Sequence, residues 1–225
     1  MEKQNSRYHL SPSLLCADQL ELKQTISSLD QMGIDWFHID VMDGNFVPNF
    51  AFGTDGIRAI RSITETPLYV HMMTVRPMDF VIPIAELGVD YYCFHYETTA
   101  NPFRLCQQIK ESGMKAAAAL NPSTPVEALK DLLPYLSAVT LMSIEPGFSG
   151  QKFLPHTYEK IRRLREMIQN TSVLIEVDGG ADIPISMKCL QNGADIMVGG
   201  YFTVFDKKQS IQKNYQDYMQ VLKEG

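Results

Sequence analysis

The sequence lacks the features that mark membrane, secreted and nucleic-acid-binding proteins. Its 225 residues carry 20 basic and 26 acidic side chains, a formal charge of −6, with no run of more than two basic residues. This balance argues against nucleic acid or an anionic membrane as the main partner. No stretch approaches the ~20 apolar residues of a membrane span. The first ten residues, MEKQNSRYHL, have no long apolar region, so we expect no signal peptide.

Cysteine is also scarce. The four cysteines, Cys16, Cys93, Cys106 and Cys189, lie 77, 13 and 83 residues apart. These spacings fit neither a zinc ribbon, nor a CxxC redox pair, nor a secreted disulfide scaffold. We therefore predict that most of them are buried thiols and that the protein is cytoplasmic.

What the sequence does contain is a regular alternation of short apolar runs and longer amphipathic stretches, with no low-complexity linker between them. The predicted strands are 8–15, 35–41, 67–73, 90–95, 115–120, 137–142, 173–178 and 195–199. The predicted helices are 18–32, 54–64, 78–87, 101–112, 124–134, 156–169, 182–192 and 207–223. Eight units of roughly 28 residues match the size of a βα building block.

Glycines punctuate this alternation. Gly33, Gly88 and Gly193 each stand between a helical pattern and an apolar run, and Gly113 is a variant of the same device. Glycine adopts the left-handed conformation that ends a helix before the chain enters the next strand. Repeated helix-to-strand transitions predict parallel strands, so we expect residues 1–225 to form a single α/β domain, a (β/α)8 TIM barrel. An open doubly wound sheet is the alternative.

Chemically capable side chains stand where the predicted strands end, which is where a barrel builds its active site. His38 and Asp40 lie two apart on one face of the second strand, His71 is near the end of the third, and Asp178 ends the seventh. Two imidazoles and two carboxylates suit a divalent ion such as zinc, manganese, iron or cobalt. Each histidine alone is equally compatible with a hydrogen-bonded core residue.

Glycine pairs follow the last two strands. Gly179 and Gly180 follow the seventh, and Gly199 and Gly200 follow the eighth, where backbone amides of a barrel commonly hold a phosphate. The alternative is that they only shape tight turns. The segment 145–153, EPGFSGQKF, is either a mobile lid or an ordinary surface loop.

Four motifs resemble the ribulose-phosphate 3-epimerases: HIDVMDGNFVPNFAFG at 38–53, VHMM at 70–73, MSIEPGFSGQKF at 142–153 and EVDGG at 176–180. The similarity runs in order from about Ser11 to Phe205. It implies the same barrel and an isomerase of carbohydrate metabolism in the pentose phosphate pathway. Such an enzyme interconverts D-ribulose 5-phosphate and D-xylulose 5-phosphate by two-base proton transfer at C3, through a metal-stabilised enediolate.

The resemblance also implies roles for individual residues. One divalent metal ion and no organic cofactor would be present, with His38, Asp40, His71 and Asp178 as ligands and the two aspartates as the acid/base pair. The implied substrate-binding residues are Ser13, His71, Met42, Met73, Met142, Gly147, Phe148, Ser149, Gly150, Gly179, Gly180, Gly200 and Tyr201. Tyr201 replaces the family's usual serine and cannot offer a short hydroxyl to the phosphate. Similar proteins form homo-oligomers, so we expect one here.

Two alternatives stay open at this stage. The segments 74–80, 95–98 and 121–129 look like the D-allulose-6-phosphate 3-epimerase branch, which makes a hexulose 6-phosphate a second candidate substrate. A non-catalytic sugar-phosphate-binding paralogue is a third possibility, because fold alone does not establish activity. That interpretation predicts the loss of at least one of the four metal-binding side chains, and all four are present.

Overall fold

Eight parallel strands form the centre of the computed structural model, which describes residues 8–169 and 171–224. The strands are β1 (His9–Pro12), β2 (Phe37–Met42), β3 (Leu68–Met73), β4 (Tyr91–His95), β5 (Lys115–Leu120), β6 (Ala138–Met142), β7 (Leu174–Asp178) and β8 (Ile196–Gly199). Their order is β1-β8-β7-β6-β5-β4-β3-β2. An isolated parallel bridge between Ser13 and His38 joins the two outer strands. The barrel predicted from the sequence is therefore confirmed.

Helices cover the outside of this barrel. Within the described residues they are α1 (Leu22–Gln31), α2 (Thr54–Arg61), α3 (Val81–Ala85), α4 (Pro102–Glu111), α5 (Thr157–Met167), α6 (Ile183–Gln191) and α7 (Ile211–Glu224). The glycines that follow α1, α3, α4 and α6 have φ values of +75°, +72°, +85° and +111°. They are Gly33, Gly88, Gly113 and Gly193, the four positions at which the sequence predicted a helix end. None of the helices in the described residues is long and apolar enough to cross a membrane.

The helix predicted over 124–134 is wrong. Two short 3₁₀ turns, Val126–Leu129 and Leu133–Tyr135, connect β5 to β6 instead. Pro134 has no N–H to donate and its ring clashes with the preceding turn, so a continuous helix cannot pass through it. The apolar spacing was nevertheless informative, because Val126, Leu129 and Leu133 are buried against the barrel.

Alternation along the strands separates two cores. Outward-facing residues such as Val70, Met72 and Phe94 pack against the helices in the larger core. Inward-facing residues near the strand starts form a second cluster that includes Tyr69 and Tyr91. Further along the same inward faces the side chains become polar, so the fold brings polar chemistry to the C-terminal mouth of the barrel.

The cysteines are free thiols. Cys93, Cys106 and Cys189 are buried, and Cys16 is half-buried at the barrel mouth. Burial and nearby carboxylates raise the pKa of Cys16 to about 11, so it is a neutral thiol at neutral pH.

Candidate active site

Four side chains converge at the mouth of the barrel. Each of His38, Asp40, His71 and Asp178 contributes one nitrogen or oxygen atom to a group in which all four atoms lie within 4.8 Å of one another. The Nε2 atom of His38 is 3.3 Å from Asp40 Oδ1 and 3.6 Å from Asp178 Oδ2. The Nδ1 atom of His71 is 3.2 Å and 3.5 Å from the same two oxygens. Residues 140 positions apart in the sequence thus form one cluster.

The cluster is chemically suited to a metal ion. Nε2 of His38 is fully buried and has no hydrogen-bond partner among the described residues. An unpaired buried nitrogen is destabilising, and here it faces two carboxylate oxygens. A set of two imidazole nitrogens and two carboxylate oxygens matches the ligand preferences of zinc and its transition-metal neighbours. A cation held among these atoms would satisfy the unpaired nitrogen.

A buried glutamate orients His38. Glu176 Oε1 lies 3.4 Å from His38 Nδ1, and Glu176 Oε2 accepts a 2.6 Å hydrogen bond from the Thr140 hydroxyl. A carboxylate on one ring nitrogen fixes the tautomer, leaving the other nitrogen free to act as a ligand. The sequence interpretation quoted Glu176 within the EVDGG motif but gave it no role. Its position two residues before Asp178, on the same strand face, was the available signal.

A third histidine, His95, stands behind the cluster at the end of β4. Its Nε2 atom lies 2.9 Å from Nε2 of His71. Burial lowers the pKa of His95 to about 4, against the opposing effect of Glu97, so the ring is neutral at neutral pH. The sequence indicated His95 as a strand-end histidine but gave it no role.

The nearby carboxylates raise the pKa values of the two imidazoles in the cluster. Burial alone would lower the pKa of His38, but Asp40 and Glu176 raise it well above its ordinary value. Burial would likewise lower the pKa of His71. Hydrogen bonds with Asp178 and Asp40 outweigh this effect and raise it. In return, although burial opposes the change, His38 and His71 hold the pKa of Asp40 far below its usual range.

We therefore expect cation binding to release protons at neutral pH. The raised pKa values favour the protonated forms of His38 and His71 in the metal-free protein, and a cation needs the lone pairs that those protons occupy. Affinity should rise with pH and fall on acidification, with a positive number of protons released per ion. Calorimetry of Co²⁺ binding in buffers of different ionisation enthalpy, between about pH 6 and 8, measures this number. Uptake of protons, or binding independent of pH, would contradict it.

A cavity opens above the cluster, and most of the predicted substrate-binding residues line it. They are Ser13, Met42, Met73, Met142, Gly147, Phe148, Ser149, Gly150, Gly179, Gly180, Gly200 and Tyr201. His71 is fully buried and lies behind this lining. Cys16 and Phe202 also line the cavity, although neither carried a sequence signal.

The walls of the cavity differ in character. The Ser13 hydroxyl donates a 2.7 Å hydrogen bond to Asp40 Oδ2, which leaves Oδ1 of the same carboxylate facing the histidines. Met42 and Met73 pack with Val47 into a small buried apolar cluster. Their thioethers form a soft apolar wall that excludes water beside a charged carboxylate.

The glycine pair after β7 has no room for side chains. A Cβ on Gly179 would lie 2.3 Å from Ile144 Cγ1, and one on Gly180 would lie 2.7 Å from the Phe153 nitrogen. Their φ values are +111° and +67°. Neither amide donates a hydrogen bond to another backbone group of the described residues. The Gly200 amide differs, because it donates to the Thr203 hydroxyl at 3.0 Å.

Gly180→Ala should therefore weaken both the fold and substrate binding. The new Cβ would meet backbone atoms of residues 151 and 153 in a left-handed conformation, a strain of about 1–3 kcal/mol in the free energy of unfolding. Displacement of the amides should raise KM more than it lowers kcat. Gly113→Ala is the matched control, since its φ of +85° carries similar strain with no atom within 4 Å. Equal KM values in both variants would contradict an anion-binding role for this loop.

The segment 145–153 lies over the cavity. Asn49 Nδ2 donates to the Gly147 carbonyl at 2.8 Å, while Gln151 Nε2 donates to the carbonyls of Glu145 and Phe148 at 2.7 and 2.9 Å. The Phe148 side chain is half exposed. Hydrogen bonds from two side-chain amides thus hold this segment. That the segment opens and closes as a lid stays a prediction.

Known proteins resemble this chain over nearly its whole length. The sequence profile of the Ribulose-phosphate 3 epimerase family matches residues 9–205. The ribulose-phosphate 3-epimerase of Treponema pallidum is 40% identical over 195 residues, which cover 86% of this chain and 89% of that protein. The enzyme of the same name from Synechocystis is 43% identical over 195 residues, 85% of each chain. That of Methanocaldococcus jannaschii is 40% identical over 191 residues, 84% of this chain and 81% of its own.

Solved structures with much lower identity share the fold. A mutant tryptophan synthase alpha-subunit from Pyrococcus furiosus superimposes with a TM-score of 0.70 at 16% identity, covering 97% of this chain and 98% of its own. Orotidine 5'-phosphate decarboxylase from Pyrococcus horikoshii also gives 0.70, at 12% identity, covering 95% and 99%. These two likenesses concern the barrel architecture alone.

Proposed function

Because the chain belongs to the ribulose-phosphate 3-epimerase family, we propose that it interconverts D-ribulose 5-phosphate and D-xylulose 5-phosphate by moving a proton at C3. One observation carries the proposal: two carboxylates and two imidazoles meet at the floor of a cavity whose rim is a glycine loop. The floor supplies groups for proton transfer, and the glycine loop beside it is the proposed place for the phosphate. The membership confirms the resemblance read from the four motifs.

Epimerisation requires two proton-transfer groups. One must take the proton from one face of C3, and another must return it on the opposite face. We assign these roles to Asp40 on β2 and Asp178 on β7, which stand on separate strands and both line the cavity. Ser13 holds one oxygen of Asp40 and thereby fixes the direction of the other.

The residues His38, Asp40, His71 and Asp178 would hold a divalent ion. When bound, such an ion supplies Lewis acidity, which stabilises the negative charge of the enediolate left when the proton departs. The protein groups contribute the rest: Glu176 orients His38, and the methionine wall keeps water away from the reacting carbons. The amides of Gly179 and Gly180 would hold the phosphate, which is consistent with the acidic composition because no lysine is needed.

Proton exchange in D2O tests the proposal directly. Ribulose 5-phosphate incubated with the protein in D2O should incorporate deuterium at C3 and be converted to xylulose 5-phosphate. A parallel incubation with allulose 6-phosphate gives the ratio of kcat/KM for the five- and six-carbon substrates, and a ratio above one supports the pentose assignment. A ratio below one would reassign the chain to hexulose 6-phosphates. No exchange with either substrate would refute the epimerase proposal.

A further inference from the structure

A line of polar side chains leads away from the metal-binding cluster on the side of His71. The His71 and His95 rings are inclined by only 26° and their centroids are 5.0 Å apart, while their Nε2 atoms approach to 2.9 Å. The two rings therefore meet edge to edge, nitrogen to nitrogen. On the far side of His95, the buried Nδ1 atom lies 3.4 Å from Glu97 Oε2 without the geometry of a hydrogen bond, and no described residue accepts from it.

The outer end of this line is firmly held. Glu97 Oε1 accepts hydrogen bonds from the Asn121 amide, at 2.8 Å, and from the Thr124 hydroxyl. Lys160 Nζ in turn donates to the Asn121 carbonyl at 2.8 Å. Although partial burial opposes it, the nearby His95 ring and hydrogen bonds from Thr124 and the backbone lower the pKa of Glu97 to about 2, so the carboxylate is ionised.

The groups at the two ends of the line, the metal-binding cluster and Glu97, determine which ring nitrogens carry protons. Two imidazole nitrogens 2.9 Å apart form a hydrogen bond only when one carries a proton and the other a lone pair. Nδ1 of His71 faces the cluster and must offer its lone pair to a cation, so the proton of that ring lies on Nε2. His95 then accepts at Nε2 and carries its own proton on Nδ1, facing Glu97.

We propose that His95 and Glu97 are positioning residues that fix His71 in the tautomer whose Nδ1 lone pair faces the metal-binding cluster. This inference rests on the proposed metal dependence. Without an acceptor at position 95, a neutral His71 would favour a proton on Nδ1, where Asp40 Oδ1 lies 3.2 Å away and can accept it. That proton would occupy the ligand position. Partners of this kind change metal affinity by about 10- to 100-fold.

The first test measures metal affinity without substrate. Co²⁺ binding is titrated against a competing chelator in the wild type and in three variants. We expect His95→Leu, which has no acceptor, to raise Kd by about 10- to 100-fold. His95→Gln, whose amide oxygen can accept from His71, should recover most of that loss. His9→Leu is the matched control, because it removes an imidazole where β1 begins, far from the cluster, and should leave Kd unchanged.

The second test needs no substitution at His95 and reads the tautomers directly. Histidine ¹⁵N–¹H correlation spectra of the wild-type protein loaded with Zn²⁺ should show His71 protonated on Nε2 and His95 protonated on Nδ1. Glu97→Gln should change the Nδ1 signal of His95 and raise the Co²⁺ Kd less than His95→Leu does.

The outcomes separate this inference from the function on which it rests. A wild-type protein that binds Co²⁺, with an unchanged Kd in His95→Leu, would overturn the positioning role alone. A proton on Nε2 of His95 in the Zn²⁺-loaded protein would do the same. A wild-type protein that binds neither ion would refute the metal dependence, and the positioning role with it.

Discussion

Asp178→Asn should lower the kcat of epimerisation by about 10²- to 10⁴-fold, the usual contribution of a general acid or base. Asparagine keeps the shape of the side chain but cannot exchange a proton at neutral pH. If Asp40 and Asp178 serve opposite faces of C3, each Asn variant should still exchange the C3 proton of one epimer and not of the other. Deuterium incorporation from D2O into each of the two epimers, measured at saturating metal, shows which epimer each variant still exchanges.

A matched control lies four residues further along the chain. Asp182 accepts a hydrogen bond from the Ile185 amide as the N-cap of α6, and asparagine caps helices equally well. Asp182→Asn should therefore retain wild-type activity. Wild-type turnover in Asp178→Asn would remove that residue from proton transfer, and equal exchange of both epimers in both variants would contradict the two-face assignment.

Removal of the metal ion should lower kcat nearly as much as Asp178→Asn does. Lewis-acid stabilisation of an enolate-type charge is worth several kcal/mol, so chelation should reduce kcat by about 10³-fold. Zinc, manganese, iron or cobalt, added singly, should restore activity, because each accepts a mixed nitrogen and oxygen set. The order of restored rates, together with metal analysis of the purified protein, identifies the preferred ion.

Calcium is the informative control in that experiment. It prefers six to eight oxygen ligands and is poorly served by two imidazoles, so it should not restore the rate. Full activity after exhaustive chelation, in protein that contains no stoichiometric divalent ion, would refute the metal-dependent proposal.

The barrel could be predicted because its signals are local and repeated. Each helix end at Gly33, Gly88, Gly113 or Gly193 is encoded by the glycine itself, which alone adopts the required φ without strain. The segment 124–134 differs because apolar spacing does not distinguish an α-helix from two 3₁₀ turns, and Pro134 removes an N–H that a continuous α-helix would use.

Sequence spacing could group some residues of the candidate site but not others. His38 and Asp40 share one strand face, so two of the four converging side chains could be grouped from sequence spacing. The spacing also places Glu176 on the same face as Asp178, but it gives neither His95 nor Glu176 a role, since that depends on which histidine nitrogen each one faces. Such contacts depend on ring orientations across the barrel, and strand periodicity carries no information on those.

The isolated bridge between Ser13 and His38 closes the barrel where the strand ladders stop. One of its two residues is a proposed ligand, and the ligand set joins β2 and β3 to β7 on the other side of that opening. An ion bound there would cross-link chain segments 140 residues apart and resist the parting of β1 from β2. The stability of the closed barrel would then increase with the logarithm of free metal concentration. Slower hydrogen exchange of the β1 amides would report occupancy of the site.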